Sequence, residues 1–108
     1  KKMASMDMEE RYRLIMSTIF RALGFRVEVE RMLATGRIDM IVEVPSIIYV
    51  LELKLSNNGG ISAAESQIKD KSYTEPFKAD KRKVIALAVE LDETGKGLID
   101  WKEVDEGV

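Results

Sequence analysis

A chain of 108 residues with 45% apolar and 33% charged residues has the size of one domain and the composition of a folded protein rather than a disordered tract. It contains no cysteine and no histidine, which removes disulfides, thiolate zinc sites, histidine bases and histidine metal ligands. The formal charge of −2 gives no global attraction to nucleic acid; no apolar run approaches the roughly 18 residues of a membrane span, and the lack of cysteine fits a cytoplasmic setting.

Residues 1–7 carry little pattern and are expected to be a linker or an expression remnant, with a single domain over residues 8–108. Asp7 can nonetheless cap a helix over about 8–23, with Glu9 and Glu10 in the first turn where the helix dipole favours acids. Tyr12, Ile15, Met16, Ile19 and Leu23 form a helical apolar stripe that reads as core, and Gly24 suits the helix end. Phe25, Val27 and Val29 alternate with charges as a first strand. After the Ala34-Thr35-Gly36 turn, a second strand over about 37–44 sets Ile38, Met40, Val42 and Val44 on one face and Asp39, Ile41 and Glu43 on the other.

Pro45-Ser46 is a tight connection into a third strand, so the two strands form an antiparallel hairpin. The third strand, Ile47 to Leu55, is almost wholly apolar, β-branched or aromatic, as a strand buried on both faces is. Yet it carries Glu52 and Lys54, and the two-residue period of a strand sets them on one face. Burying an ionised group costs several kcal/mol unless it has partners, so this pair demands a compensating ion or a function.

Asn57 to Gly60 ends the strand. Ser62 with Glu65 has the spacing of a capping box, predicting a helix over about 63–73. A basic loop follows, from Glu75-Pro76 to Lys83. Val84 to Val89 is apolar on both faces, as a central parallel strand would be, and 98–104 reads as an edge strand with the single tryptophan. The order is helix, three strands, helix, strand and one more strand, an α/β domain in which a helical crossover adds a parallel strand to a hairpin-rich sheet.

Asp39 and Glu52 on neighbouring strands can hold Mg²⁺ through oxygen, and the Leu53 carbonyl can add a ligand. Such a metal would polarise a phosphoryl oxygen and acidify a bound water, and Lys54 can meet charge developing on the phosphate. The alternative is a structural ion pair, Glu52–Lys54 or Asp39–Lys54. An E-x-K triplet alone is a weak signal, because a chain this rich in both residues holds about one by chance. Lys78, Lys81, Arg82 and Lys83 form either a phosphate-contacting patch or a solvated loop. Glu43 is either a further ligand or a solvated strand end.

Gly36-Arg37-Ile38-Asp39, the strand with Glu52-Leu53-Lys54, and Gln67 in the next helix resemble the PD-(D/E)xK nuclease superfamily, whose restriction-endonuclease-like α-β-β-β-α-β core, a mixed sheet flanked by helices, matches the element order above. The likeness runs from about Glu9 to Trp101. It is closer to nuclease-like domains C-terminal to ATPase-like regions in bacterial proteins, on 36–54, 67–73 and 83–89. Ile38 stands where proline precedes the motif aspartate, and Arg13 where that closer group has histidine. The resemblance implies a Mg²⁺-dependent nuclease acting on DNA, with Mn²⁺ as a substitute. Asp39 and Glu52 would be the acidic ligands, Lys54 the catalytic lysine, Glu9 an acid near the metal, and Gln67 the supporting glutamine. Tyr73 reads as packing. Glu9 also suits a plain first-turn acid, and Gln67 a buried amide. A homodimer and an N-terminal ATPase-like region are expected partners; a membrane is not. The non-catalytic alternative is a nucleic-acid-binding or accessory interaction module.

Overall fold

The computed structural model describes residues 7–105; of the expected linker, residues 1–6 lie outside the described residues. Asp7 belongs to the domain instead, because it is a helix cap. Its carboxylate accepts from the Glu10 backbone N–H at 2.8 Å, and the Glu10 side chain returns to the Asp7 N–H at 3.4 Å. This box satisfies two donors that a helix start leaves unpaired.

The elements are α1 (Met8–Ala22), β1 (Arg26–Leu33), β2 (Gly36–Glu43), β3 (Ile47–Leu55), α2 (Gly60–Lys71), β4 (Lys83–Leu91) and β5 (Leu98–Val104), with a 3-10 turn at Glu75–Phe77. The sheet order is β1-β2-β3-β4-β5. Only β3 and β4 are parallel, joined through α2; all other neighbours are antiparallel. This is the mixed, helix-flanked α/β core expected from the element order.

α2 starts three residues earlier than its sequence suggests. Gly59 offers no side-chain cap; instead the Glu90 carboxylate, from β4, accepts from the Ile61 N–H at 3.0 Å. An anion at a helix N-terminus meets both the unpaired N–H groups and the dipole. Gly60, at φ +57, makes room, since a Cβ there would lie 2.7 Å from Glu90 Oε1. Glu65, the supposed capping-box acid, pairs with Lys69 and Lys102.

Each face of the sheet buries an apolar layer. Ile41, Ile48, Val50, Ala86 and Ala88 pack with Ala64 and Ile68 of α2. Met40, Val42, Leu51, Leu53 and Val89 pack with Tyr12 of α1. The stripe expected on α1 is only partly core. Tyr12 and Met16, joined by Met8 and Phe20 from outside that stripe, face the sheet, whereas Ile15, Ile19 and Leu23 are exposed. A four-residue spacing, not the broader stripe, marks the buried line.

The alternation along β2 also breaks. Ile38 packs on the α2 side with Ile41, while Met40 and Val42 face α1. β1 changes phase opposite it: Val27 and Val29 face α1, Leu33 faces α2. Between them sits Glu30, at a left-handed φ of 55, opposite Asp39 in the interval between Val29↔Met40 and Arg31↔Ile38. A left-handed residue bends a strand and re-aims its neighbours.

Candidate active site

The re-aimed stretch forms the site. The β2–β3 ladder pairs Glu43↔Ile48 through Met40↔Leu51. One step further, the Asp39 carboxylate replaces the backbone: its Oδ2 accepts from the Leu53 N–H at 2.8 Å. A buried amide must find an acceptor, and here that need fixes Asp39 against the strand bearing Glu52 and Lys54.

Glu52 is 2% exposed, and its Oε1 is buried without a hydrogen-bond partner. Burial, then the nearby Asp39 charge, push its carboxyl from 4.5 up to about 8, against the opposing pull of Lys54. The Lys54 ammonium stands 3.7 Å from Glu52 Oε2, too far for a tight charged hydrogen bond. A purely structural pair would be expected to close that gap and to satisfy both oxygens. Of the two structural ion pairs weighed as alternatives, Asp39–Lys54 does not form; Asp39 faces Arg13 instead, with 4.0 Å between Oδ1 and the guanidinium.

α1 and α2 supply the cleft walls. Glu9, Arg37, Asp39, Glu52, Lys54 and Gln67 border one cleft of about 330 Å³, with Met32 and Gly36 at its rim. All five side chains singled out in the sequence therefore meet there. Glu9 senses the same charges: burial, followed by Asp39, raises its pKa, while Lys54 and Arg13 lower it. Gln67 lies over the site and donates from Nε2 to the Tyr73 hydroxyl at 2.9 Å. Tyr73 in turn donates to the Arg37 carbonyl at 2.6 Å. Burial above all pushes its hydroxyl up to about 12, so Tyr73 remains a neutral donor. Tyr73 does more than pack, because it ties α2 to the start of β2.

The donor set suits a hard cation. Among the described residues no three His, Cys, Asp or Glu side chains form a ready-made cage, so a metal would rely on two carboxylates, a backbone carbonyl and solvent, as Mg²⁺ commonly does. The orphaned Glu52 oxygen fits such an ion, which would replace the proton that burial favours.

Arg13 and Glu30 are the charged neighbours that sequence reading missed as a pair. Arg13, 8% exposed, also contacts Glu30 Oε1 at 3.4 Å, and Glu30 Oε2 accepts from Arg37 at 3.0 Å. The signal available was that Arg13 follows Glu9 by four residues and so shares its helix face. Two of the four cations of the basic loop are engaged elsewhere. Arg82 binds Asp80 and Glu43, and Lys78 binds Glu75. Glu43 is thus half-buried and paired, neither a solvated strand end nor part of the cleft.

The family model for the PD-(D/E)XK nuclease superfamily matches residues 7–101. Among curated proteins, an uncharacterized protein in the vnfD 5′ region of Azotobacter chroococcum mcd 1 is 30% identical over 90 residues, which cover 83% of this chain. The matched stretch spans 17% of that relative's length. Among the described residues no helix is long and apolar enough to cross a membrane.

Proposed function

This chain belongs to the PD-(D/E)XK nuclease superfamily, and from that premise we propose that it is a metal-dependent nuclease domain hydrolysing phosphodiester bonds in DNA. The observation that carries the reading is the buried, unpartnered Oε1 of Glu52 beside Asp39. Natural structures seldom leave such an atom unsatisfied without a use for it.

Asp39, Glu52 and the Leu53 carbonyl would hold Mg²⁺, with Mn²⁺ as a substitute. The bound ion would polarise the scissile phosphoryl group and lower the pKa of a water. Asp39 keeps its carboxylate rigid through the Leu53 N–H, and Lys54 reaches the cleft to meet negative charge on the phosphate and to orient the attacking water. The attacking water gives up a proton to solvent as its oxygen bonds to phosphorus, the P–O bond to the leaving group breaks, and the leaving oxygen takes up a proton from solvent. Glu9 completes the acidic wall. Gln67 and Tyr73 hold the Arg37 end of β2 in place.

Purified protein with Mg²⁺ or Mn²⁺ is expected to cut DNA, while Glu52→Ala and Lys54→Ala each lose at least about 100-fold in rate. Equal rates in the variants would overturn the assignment.

A second reading retains the fold without catalysis: a nucleic-acid-binding or accessory module. The accessory form of this reading is favoured by the engagement of Arg82 and Lys78 by neighbouring acids, which removes two of the loop's cations from contact with phosphates. Calorimetry with Mn²⁺ separates the two, since DNA binding without metal binding supports the second. In either case the proposed setting is the cytoplasm, within a larger protein that carries an N-terminal ATPase-like region; the relative's greater length is compatible with a domain inside a longer chain. A homodimer would allow two single-strand cuts.

A further inference from the structure

The cleft contains a cation of its own. We propose that Arg13 is the standing second cation of this site, so that the domain works with one divalent metal and excludes a second. The inference rests on the metal-site reading above.

The first support is the position of Arg13. It is almost wholly buried yet commits to neither acid: Glu30 lies at 3.4 Å and Asp39 at 4.0 Å. A guanidinium locked to one carboxylate forms a two-pronged pair near 2.8 Å. Arg13 instead sits between two acids from adjacent strands, as a bridging cation would.

The second support is the strain that keeps it there. Glu30 holds a left-handed φ of 55, a conformation that costs a non-glycine residue energy and persists only where surroundings enforce it. That backbone turns the Glu30 carboxylate toward Arg13 with one oxygen and toward Arg37 with the other. The strain thus places a counter-charge beside Arg13, on the side away from Glu52.

Removing the guanidinium should therefore vacate a place between Asp39 and Glu30 for a second ion. The test is Mn²⁺ titration of the protein by calorimetry and electron paramagnetic resonance, in the absence of DNA. Wild type and Arg13→Lys are expected to bind one Mn²⁺ per chain, and Arg13→Gln two, with the paired-ion spectral coupling that two adjacent Mn²⁺ produce. Two ions in wild type, or one in Arg13→Gln that remains folded by circular dichroism, would overturn the inference and leave the metal-site reading standing. No ion in any of the three folded proteins would overturn both. If Arg13→Gln fails to fold, the wild-type and Arg13→Lys counts decide, two ions in either being fatal.

Discussion

Strands β3 and β4 run side by side, and each sends one carboxylate to the α2 face of the sheet, Glu52 from β3 and Glu90 from β4. Their surroundings differ completely. Glu90 meets the N-terminus of α2, where the Ile61 N–H donates to it and the helix dipole welcomes an anion. Glu52 meets Asp39, a second acid, and one of its oxygens has no partner. The same residue type at neighbouring sheet positions is a structural brace in one place and a reservoir of unspent electrostatic energy in the other. What separates them is the neighbour each meets: a helix start packed over the sheet for Glu90, and the adjacent strand carrying Asp39 for Glu52.

The sharpest way to break this comparison is through pH. Folding raises the Glu52 pKa from 4.5 to about 8, so the folded state holds this proton more tightly than the unfolded chain. The stability from that protonated carboxyl is full below pH 4.5 and is lost as pH rises toward 8. At about 1.4 kcal/mol per pH unit the loss is at most about 5 kcal/mol. Metal-free protein should therefore melt at falling temperatures between pH 5 and 8, and Glu52→Gln should flatten that slope. Added Mn²⁺ should restore stability at pH 8. A slope unchanged in Glu52→Gln would show that Glu52 is as well satisfied as Glu90.

Glu90→Ala tests the other half. Losing the cap should cost about 2 kcal/mol in urea unfolding, with Mn²⁺ affinity unchanged. If Mn²⁺ binding fell instead, the two carboxylates would not be separable. Tyr73→Phe removes the donor to the Arg37 carbonyl and the acceptor for Gln67; about 1 kcal/mol is expected from denaturation, with a larger relative loss of cleavage than of stability. The smallest effect belongs to the outer face of α1. Ile19→Gln should change stability by less than about 0.5 kcal/mol, because Ile19 is 53% exposed; a core-sized loss would restore the broad stripe read from the sequence.

Much of the site could be read before any coordinates. A carboxylate and an ammonium inside an apolar strand mark themselves by burial cost, and that alone singled out Glu52 and Lys54. Asp39 follows from the hairpin that sets it on the strand beside Glu52, whereas Glu9 and Gln67 come from the family resemblance laid over the element order, and the cleft gathers all three. Tyr73 was undervalued because a buried aromatic reads as packing until its hydroxyl is seen spanning Gln67 and Arg37. The role of Glu30 was hidden, since nothing in a strand of alternating charges announces a left-handed residue. The capping box at Ser62 misled because a local pattern was weighed without the carboxylate that β4 brings to the helix start.

The sequence by itself determined the elements, their order, the mixed sheet and the charged strand, because these follow from periodicity, turn residues and the cost of burying charge, all of which are local. Only the tertiary structure decided which acid would be satisfied and which left open. That depends on long-range meetings: Glu90 with a helix start 29 residues away, Asp39 with the Leu53 amide, Arg13 with two strands. No local pattern encodes such meetings, because each sets the energy of a buried group through partners that folding alone brings within reach.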